Sequence, residues 1–239
     1  MSSEQFTEEP KVEIRVTADG SATLYVPALD EHYHSHHGAR QESAHVFIQA
    51  GLAPLLAAGG HTAAHPLRVL EVGLGTGLNA LLTLEASERA AAAFIEYDGL
   101  ETFPLPSAVV AALQPEWDQR GARLGTHFAA LHAAPWNTPV AVTPRFTVNK
   151  MHGSLQQAAL TPCQYHLVYF DAFAPEKQPD LWTEAVFQQL HEAATPGAVL
   201  VSYCAQGQFR RSLRAAGWCT ERLPGPLGKR EMTRARKES

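Results

Sequence analysis

The chain has 239 residues, 45% hydrophobic and 18% charged, with a formal net charge of −5; wholesale disorder is excluded, and one large domain, or a domain with a small appendage, is expected. No run approaches the ~18 apolar residues of a membrane span, and the polar, acidic start MSSEQFTEEPKVE is unlike a secretory signal, so neither membrane insertion nor export is expected. Three scattered cysteines (Cys163, Cys204, Cys219) form no C-x-x-C pair, which argues against a disulfide framework or a zinc ribbon and fits a reducing cytoplasm.

Residues 11–26 read as a hairpin. KVEIRVT alternates polar and apolar residues, Asp19-Gly20 supplies the turn, and ATLYV resumes the alternation. The polar stretch DEHYHSHHGARQES (30–43) then runs into AHVFIQAGLAPLLAAG, a helix ending near Gly59-Gly60. His32, His34, His36 and His37, with Asp30 and Glu31, raise the question of a metal. No H-E-x-x-H and no matched Cys/His spacing accompanies them, so no metal is expected. Residues 1–60 are thus an N-terminal extension, and 61–239 form the main domain.

From Leu67 onward strands and helices alternate. LRVLEV (67–72) is a continuous apolar strand, a glycine loop follows, and LNALLTLEASERA has helical spacing. The next strand lies in AAFIEYDGLE, and Pro104 opens a helix to Leu113. Segment 114–144, with two Trp and several Pro, breaks the rhythm and reads as an insertion with its own hairpin. RFTVNKMH, YHLVYFD and GAVLVSYC are strands, LWTEAVFQQLHEAA and GQFRRSLRAAG are helices, and WCTERL and REMTRARK are two final strands. The alternation predicts an α/β fold, a mostly parallel sheet with helices on both faces.

The loop Glu71-Val-Gly73-Leu-Gly75-Thr-Gly77-Leu-Asn79 lies between a strand and a helix. Its spacing is G-x-G-x-G; a dinucleotide fingerprint needs glycine at 78, where leucine stands, and no Gly-Lys-Ser/Thr follows for a P-loop. Asp171 ends the strand YHLVYFD, and in open parallel sheets ligands bind beyond the carboxyl ends of the strands. A carboxylate there is costly to bury alone and should face a cleft. Around it Phe173, Pro175, Pro179 and Trp182 form a rim, with Trp182 open to either a stacking or a core role. Residues 204–239 carry nine Lys/Arg against three Glu (+6), while 1–203 carry −11. That asymmetry suits either a basic face for a polyanion or a solvated surface.

The glycine loop resembles motif I of the class I S-adenosyl-L-methionine (SAM)-dependent methyltransferases. That resemblance implies a seven-stranded Rossmann-like sheet, with Glu71, Gly73, Gly75, Gly77 and Asn79 at the cofactor. It also implies an acidic residue at the end of the second strand for the ribose hydroxyls: Glu101, with Asp98 as competitor. A more specific resemblance is to the methyltransferase domain of the MnmC family, which modifies the tRNA wobble uridine. It is carried by Tyr33-x-Ser35, Glu42-Ser43-x-x-Val46-Phe47, the glycine loop, Glu101-Thr-Phe-Pro-Leu105, Asp171–Trp182 and Gly228-Lys-Arg-Glu-Met232. Standalone members lack the flavin-dependent oxidase domain, and no oxidase activity is expected.

The MnmC resemblance implies methyl transfer from SAM to the exocyclic amine of 5-aminomethyl-(2-thio)uridine in the tRNA anticodon, with Asp171 catalytic. Tyr33 and Glu42 fall on a polar loop beside the entrance and are assigned to the cofactor. So is Ser154, which stands where the family often has an Asp for adenine. Phe173, Pro175, Lys229 and Arg230 are assigned to the substrate, with a structural ion pair open as an alternative for Arg230. Without an appended domain, tRNA delivery falls to the basic C-terminal segment, a partner protein or an oligomer. Two rivals remain: a spermidine synthase-like aminopropyltransferase, and a non-catalytic SAM- or RNA-binding module.

Overall fold

The computed structural model describes residues 11–34, 37–90 and 93–238. Ser35 and His36 of the histidine-rich stretch lie outside them. Three short strands open the chain: β1 (Glu13–Val16), β2 (Ala22–Val26) and β3 (Glu31–His32), in an antiparallel sheet of that order. The β1–β2 turn falls at Asp19-Gly20, where glycine takes φ 77°. The helix that follows begins earlier than its sequence suggests. α1 (Ala39–Ser43) lies inside the polar stretch, because the Asp19 carboxylate accepts the Gln41 N–H (3.1 Å). Glu42 and Ser43 are therefore helical rather than loop residues. The rod continues as a π-helix over Ala44–Leu52 and then as α2 (Ala53–Ala58), closed by Gly59 at φ 73°. The wide register ends where Ala53 N–H reaches back to Ile48 O, just before Pro54, which has no N–H to donate.

The main sheet has eight strands. They are β4 (Leu67–Val72), β5 (Ile95–Glu101), β6 (Val140–Thr143), β7 (Phe146–His152), β8 (Tyr165–Phe170), β9 (Ala194–Ser202), β10 (Trp218–Pro224) and β11 (Glu231–Lys237). Their order is β10-β11-β9-β8-β4-β5-β7-β6. The pairs among β9, β8, β4, β5 and β7 are parallel; β10, β11 and β6 are antiparallel additions. The expected seven strands are thus joined by β6 at the edge.

Segment 114–144 is mostly helical, and its last strand, β6, forms an antiparallel hairpin with β7. Pro104 lies in a loop, and α4 (Ser107–Gln119) starts behind Pro106 and runs through Pro115. α5 (Ala122–Ala133) follows, its Phe128 stacked on Trp117 at 5.7 Å. Leu124, Phe128 and Leu131 have helical spacing, a signal that the neighbouring prolines hide. The remaining helices are α3 (Leu78–Arg89), α6 (Glu184–Ala193) and α7 (Gly207–Ala215).

The period-2 alternation of the strands splits the core between the sheet faces. On one side Val69, Tyr97, Val148 and Tyr169 pack with Phe47, Leu81 and Phe128; on the other Leu70, Phe170 and Leu200 pack with Phe187, Phe209 and Leu213. β4 lies between β5 and β8, so the strand order reverses beside it. That places a crevice at the carboxyl ends of β4, β5 and β8. Among the described residues no helix is long and apolar enough to cross a membrane.

Candidate functional site

The crevice holds a cavity of about 420 Å³, walled by the glycine loop, the ends of β5 and β8, α1 and the stretch after β3. This is an ordinary size for a small-molecule site. The loop backbone has positive φ at Gly73 (92°), Gly75 (52°) and Gly77 (74°). At Gly73 a Cβ would lie 2.6 Å from the Asp171 carbonyl oxygen, so the loop touches the β8 end backbone to backbone. At Gly75 a Cβ would meet the Tyr33 ring at 2.9 Å. Tyr33 in turn meets Phe173 edge-on, centroids 5.1 Å apart, which joins the N-terminal extension to the loop after β8.

Asn79, in the first turn of α3, bridges two carboxylates. Its Nδ2 donates to Glu71 Oε1 and to Asp171 Oδ2, each at 2.8 Å. Glu71 is fully buried and also accepts from the Tyr97 hydroxyl (2.7 Å); burial pushes it well above the usual carboxylate range despite these bonds. Burial likewise pushes Asp171 up to about 7. The Asn79 bond opposes that rise, the Glu42 charge adds to it, and Lys229 lowers it. Two buried acceptors on the wall, Asn79 Oδ1 and Ser43 Oγ, have no hydrogen-bond partner among the described residues.

Glu101 ends β5. One carboxylate oxygen accepts the Gly75 N–H (2.9 Å) and the other the Phe103 N–H (2.8 Å). Burial raises its pKa against those bonds. Asp98, its competitor, is spent inside the sheet on the Tyr165 hydroxyl (2.6 Å) and Asn149 Nδ2 (3.0 Å), and does not reach the cavity.

Other candidates separate. Phe173, Tyr33, Glu42 and Lys229 line the cavity. Ser154 does not; Leu155, Thr102 and Phe103 stand there instead. Pro175 and Arg230 line an outer groove of about 540 Å³, which shares Ala174, Tyr203 and Lys229 with the cavity. Trp182 belongs to the core against Phe170 and Phe209, both at 4.9 Å, and its indole N–H holds the Phe173 carbonyl (2.9 Å). Lys229, assigned from sequence to the substrate, is ion-paired with Glu42 and lies 4.2 Å from the Tyr203 ring centroid. Arg230 is exposed and makes none of the ion pairs found among the described residues. Sequence reasoning gave Tyr203 no role, although its place just past the end of β9 was a signal.

A family model described as S-adenosyl-L-methionine-dependent methyltransferase matches residues 139–238. That match spans less than half of the chain, and the sheet order and the glycine-loop cavity agree with it. Curated relatives narrow the class. The chain is 34% identical over 223 residues to the tRNA 5-methylaminomethyl-2-thiouridine biosynthesis bifunctional protein MnmC of Ralstonia nicotianae, covering 88% of this chain and 32% of that protein. The MnmC of Magnetococcus marinus is 32% identical over 225 residues, with 89% and 32% covered. Over most of its own length the chain resembles these MnmC proteins, and it spans about a third of the length of the curated relatives it matches. Among solved structures, MnmC2 from Aquifex aeolicus aligns with a TM-score of 0.75 at 24% identity, covering 98% of this chain and 77% of that one. Spermidine synthase from Thermotoga maritima aligns at 0.58 and 11%, covering 97% and 70%. At these identities both show the fold alone.

Proposed function

We propose that the chain transfers the methyl group of SAM to the exocyclic amine of 5-aminomethyl-(2-thio)uridine at the tRNA wobble position. The observation that carries this reading is Asp171, a half-buried carboxylate just past β8 that is aimed by Asn79 and whose backbone carbonyl lies against Gly73 of the glycine loop. The cavity suits SAM by charge and shape. Asp171 offsets the positive charge of SAM, Glu101 suits the ribose hydroxyls, the Asn79 Oδ1 acceptor awaits an N–H, and Leu100, Phe103 and Leu155 give an apolar wall for adenine. SAM supplies an electrophilic methyl group on sulfur. Asp171 accepts an N–H of the amine and points its lone pair along the attack line. An alkylamine is mostly protonated near pH 7, so a carboxylate able to take its proton is required.

The acceptor is polyanionic while the chain is acidic, so contact must be local. The basic segment 204–239, with Arg230 exposed in the outer groove, is the face assigned to phosphate. Delivery of the anticodon by a partner or a second copy, and a cytoplasmic setting, belong to the same reading. The aminopropyltransferase alternative is disfavoured by Lys229, whose ammonium on the wall repels a polyamine. The direct test is to incubate the purified chain with SAM and tRNA from cells lacking the methylation, then digest and weigh the nucleosides. A mass gain of one methyl on the aminomethyl nucleoside is expected; unchanged tRNA, beside spermidine formed in a parallel incubation with putrescine and decarboxylated SAM, would overturn the reading.

A pH dependence follows from Asp171. A raised pKa means that the free site holds a proton up to about pH 7. A bound cation favours the carboxylate, so binding must expel that proton. SAM affinity should therefore rise with pH through about 7 and level off above it. Calorimetry at pH 7 in two buffers of different ionisation enthalpy should report net proton release, and identical heats would contradict it.

A further inference from the structure

We propose that in the free protein Lys229 occupies the seat of the acceptor amine, and that substrate phosphate in the outer groove draws it out. The inference rests on the methyl-transfer reading only for the identity of the acceptor. The seat itself is on view. The Lys229 ammonium lies between the Glu42 carboxylate and the face of Tyr203, 4.2 Å from its centroid. A carboxylate and an aromatic face are the two contacts that recognise a primary ammonium. The Glu42 side chain is only 8% exposed, and a carboxylate so buried is costly to leave without a cation. Tyr203 is held in place by its hydroxyl, which donates to the Ala172 carbonyl (2.8 Å), one residue from Asp171. The seat therefore adjoins the carboxylate assigned to the reaction. Lysine and an aminomethyl nucleobase present the same group to it, a primary amine on a methylene.

Lys229 also has an exit. It lines both the cavity and the outer groove, its side chain is 35% exposed, and its flexible stem starts beside Gly228 at φ 84°. A phosphate in the groove next to exposed Arg230 offers the ammonium a new counter-ion. The substrate amine then takes its place at Glu42, one cation exchanged for another. The amine gives up its proton to a carboxylate. Its nitrogen then attacks the methyl carbon, the S–CH3 electron pair stays on sulfur, and S-adenosylhomocysteine leaves as a neutral thioether. An amine without a phosphate cannot evict the lysine. Lys229 is accordingly a specificity residue that rejects free amines.

The test uses n-butylamine, an amine with no phosphate. In Lys229→Ala, n-butylammonium should bind at least about tenfold more tightly than in wild type when followed by NMR titration with S-adenosylhomocysteine present. With SAM, butylamine should be methylated at least about tenfold faster, while tRNA methylation falls. SAM affinity and the melting curve report whether the variant folds. If it does not, wild-type protein carries the test. Its Lys229 15Nζ resonance should move when an anticodon stem-loop RNA binds, and an unmoved resonance overturns the proposal. A folded variant no better than wild type with butylammonium also overturns it, and leaves Lys229–Glu42 as a static strap. Should wild type fail to methylate tRNA while the variant still gains butylammonium binding, the seat stands and the methyl-acceptor assignment falls.

Discussion

Asp171→Asn should lower the rate of methyl transfer by about 100-fold or more, the scale of a positioned acid–base group. Asparagine keeps the shape and can still accept the Asn79 hydrogen bond that the structure shows at 2.8 Å. It cannot take a proton from the amine. Its effect on stability has the opposite sign. The carboxyl is an ordinary acid in the unfolded chain, near 3.8, and is raised to about 7 in the fold. Ionising it therefore costs stability, beginning as pH rises past the unfolded value and complete above the folded one. The neutral amide escapes that cost, so at pH 8 the variant should melt at or above the wild-type temperature while losing activity. Single-turnover rates at saturating SAM and tRNA, measured beside a thermal melt, check both halves. A variant within about threefold of the wild-type rate would remove Asp171 from the chemistry.

Gly73→Ala should do the reverse, damaging the scaffold before the chemistry. Residue 73 sits at φ 92°, outside the comfortable range of an alanine, and a Cβ there would lie 2.6 Å from the Asp171 carbonyl oxygen. That oxygen belongs to a strand end and cannot rotate away. Neighbouring bonds hold both backbones: Asp171 N–H to Val72 O and Gly73 N–H to Leu100 O, each at 3.0 Å. Strain and overpacking together should cost ~3 kcal/mol. For a chain of this size that lowers the melting temperature by about 6–12 °C. Relief of the clash moves the loop off β8, so calorimetric SAM binding should be lost as well. Wild-type affinity in this variant would show that loop and strand end need not touch to form the site.

Much of this was legible along the chain because the relevant forces are local. Apolar runs such as LRVLEV and HLVYF mark strands buried on both faces, and they are β4 and β8. The strand-end rule led to Asp171 and the resemblance to motif I led to Glu101, and both residues line the cavity. The local signals failed where they conflicted. Pro115 obscured the second half of the helix read from Pro104 to Leu113, α5 went unread, and a polar composition hid the start of α1. Proline is tolerated in or just before the first helical turn, so its presence alone does not decide where a helix starts.

The sequence by itself determined the alternation of strands and helices, the glycine loop and the acids at strand ends, since each depends on neighbours a few positions away. Only the tertiary structure decided which groups meet. Asn79 reaches Asp171 across 92 positions, and Lys229 reaches Glu42 across 187. Tyr33 comes to cover Gly75 because the N-terminal extension folds back over the loop. Such contacts are set by strand order and by how the extension packs on it, and no spacing along the chain encodes them. The same holds for the Asp171 proton. Its affinity comes from burial, from the Asn79 hydrogen bond and from the charges of Glu42 and Lys229, a property of the assembled crevice and of no single segment.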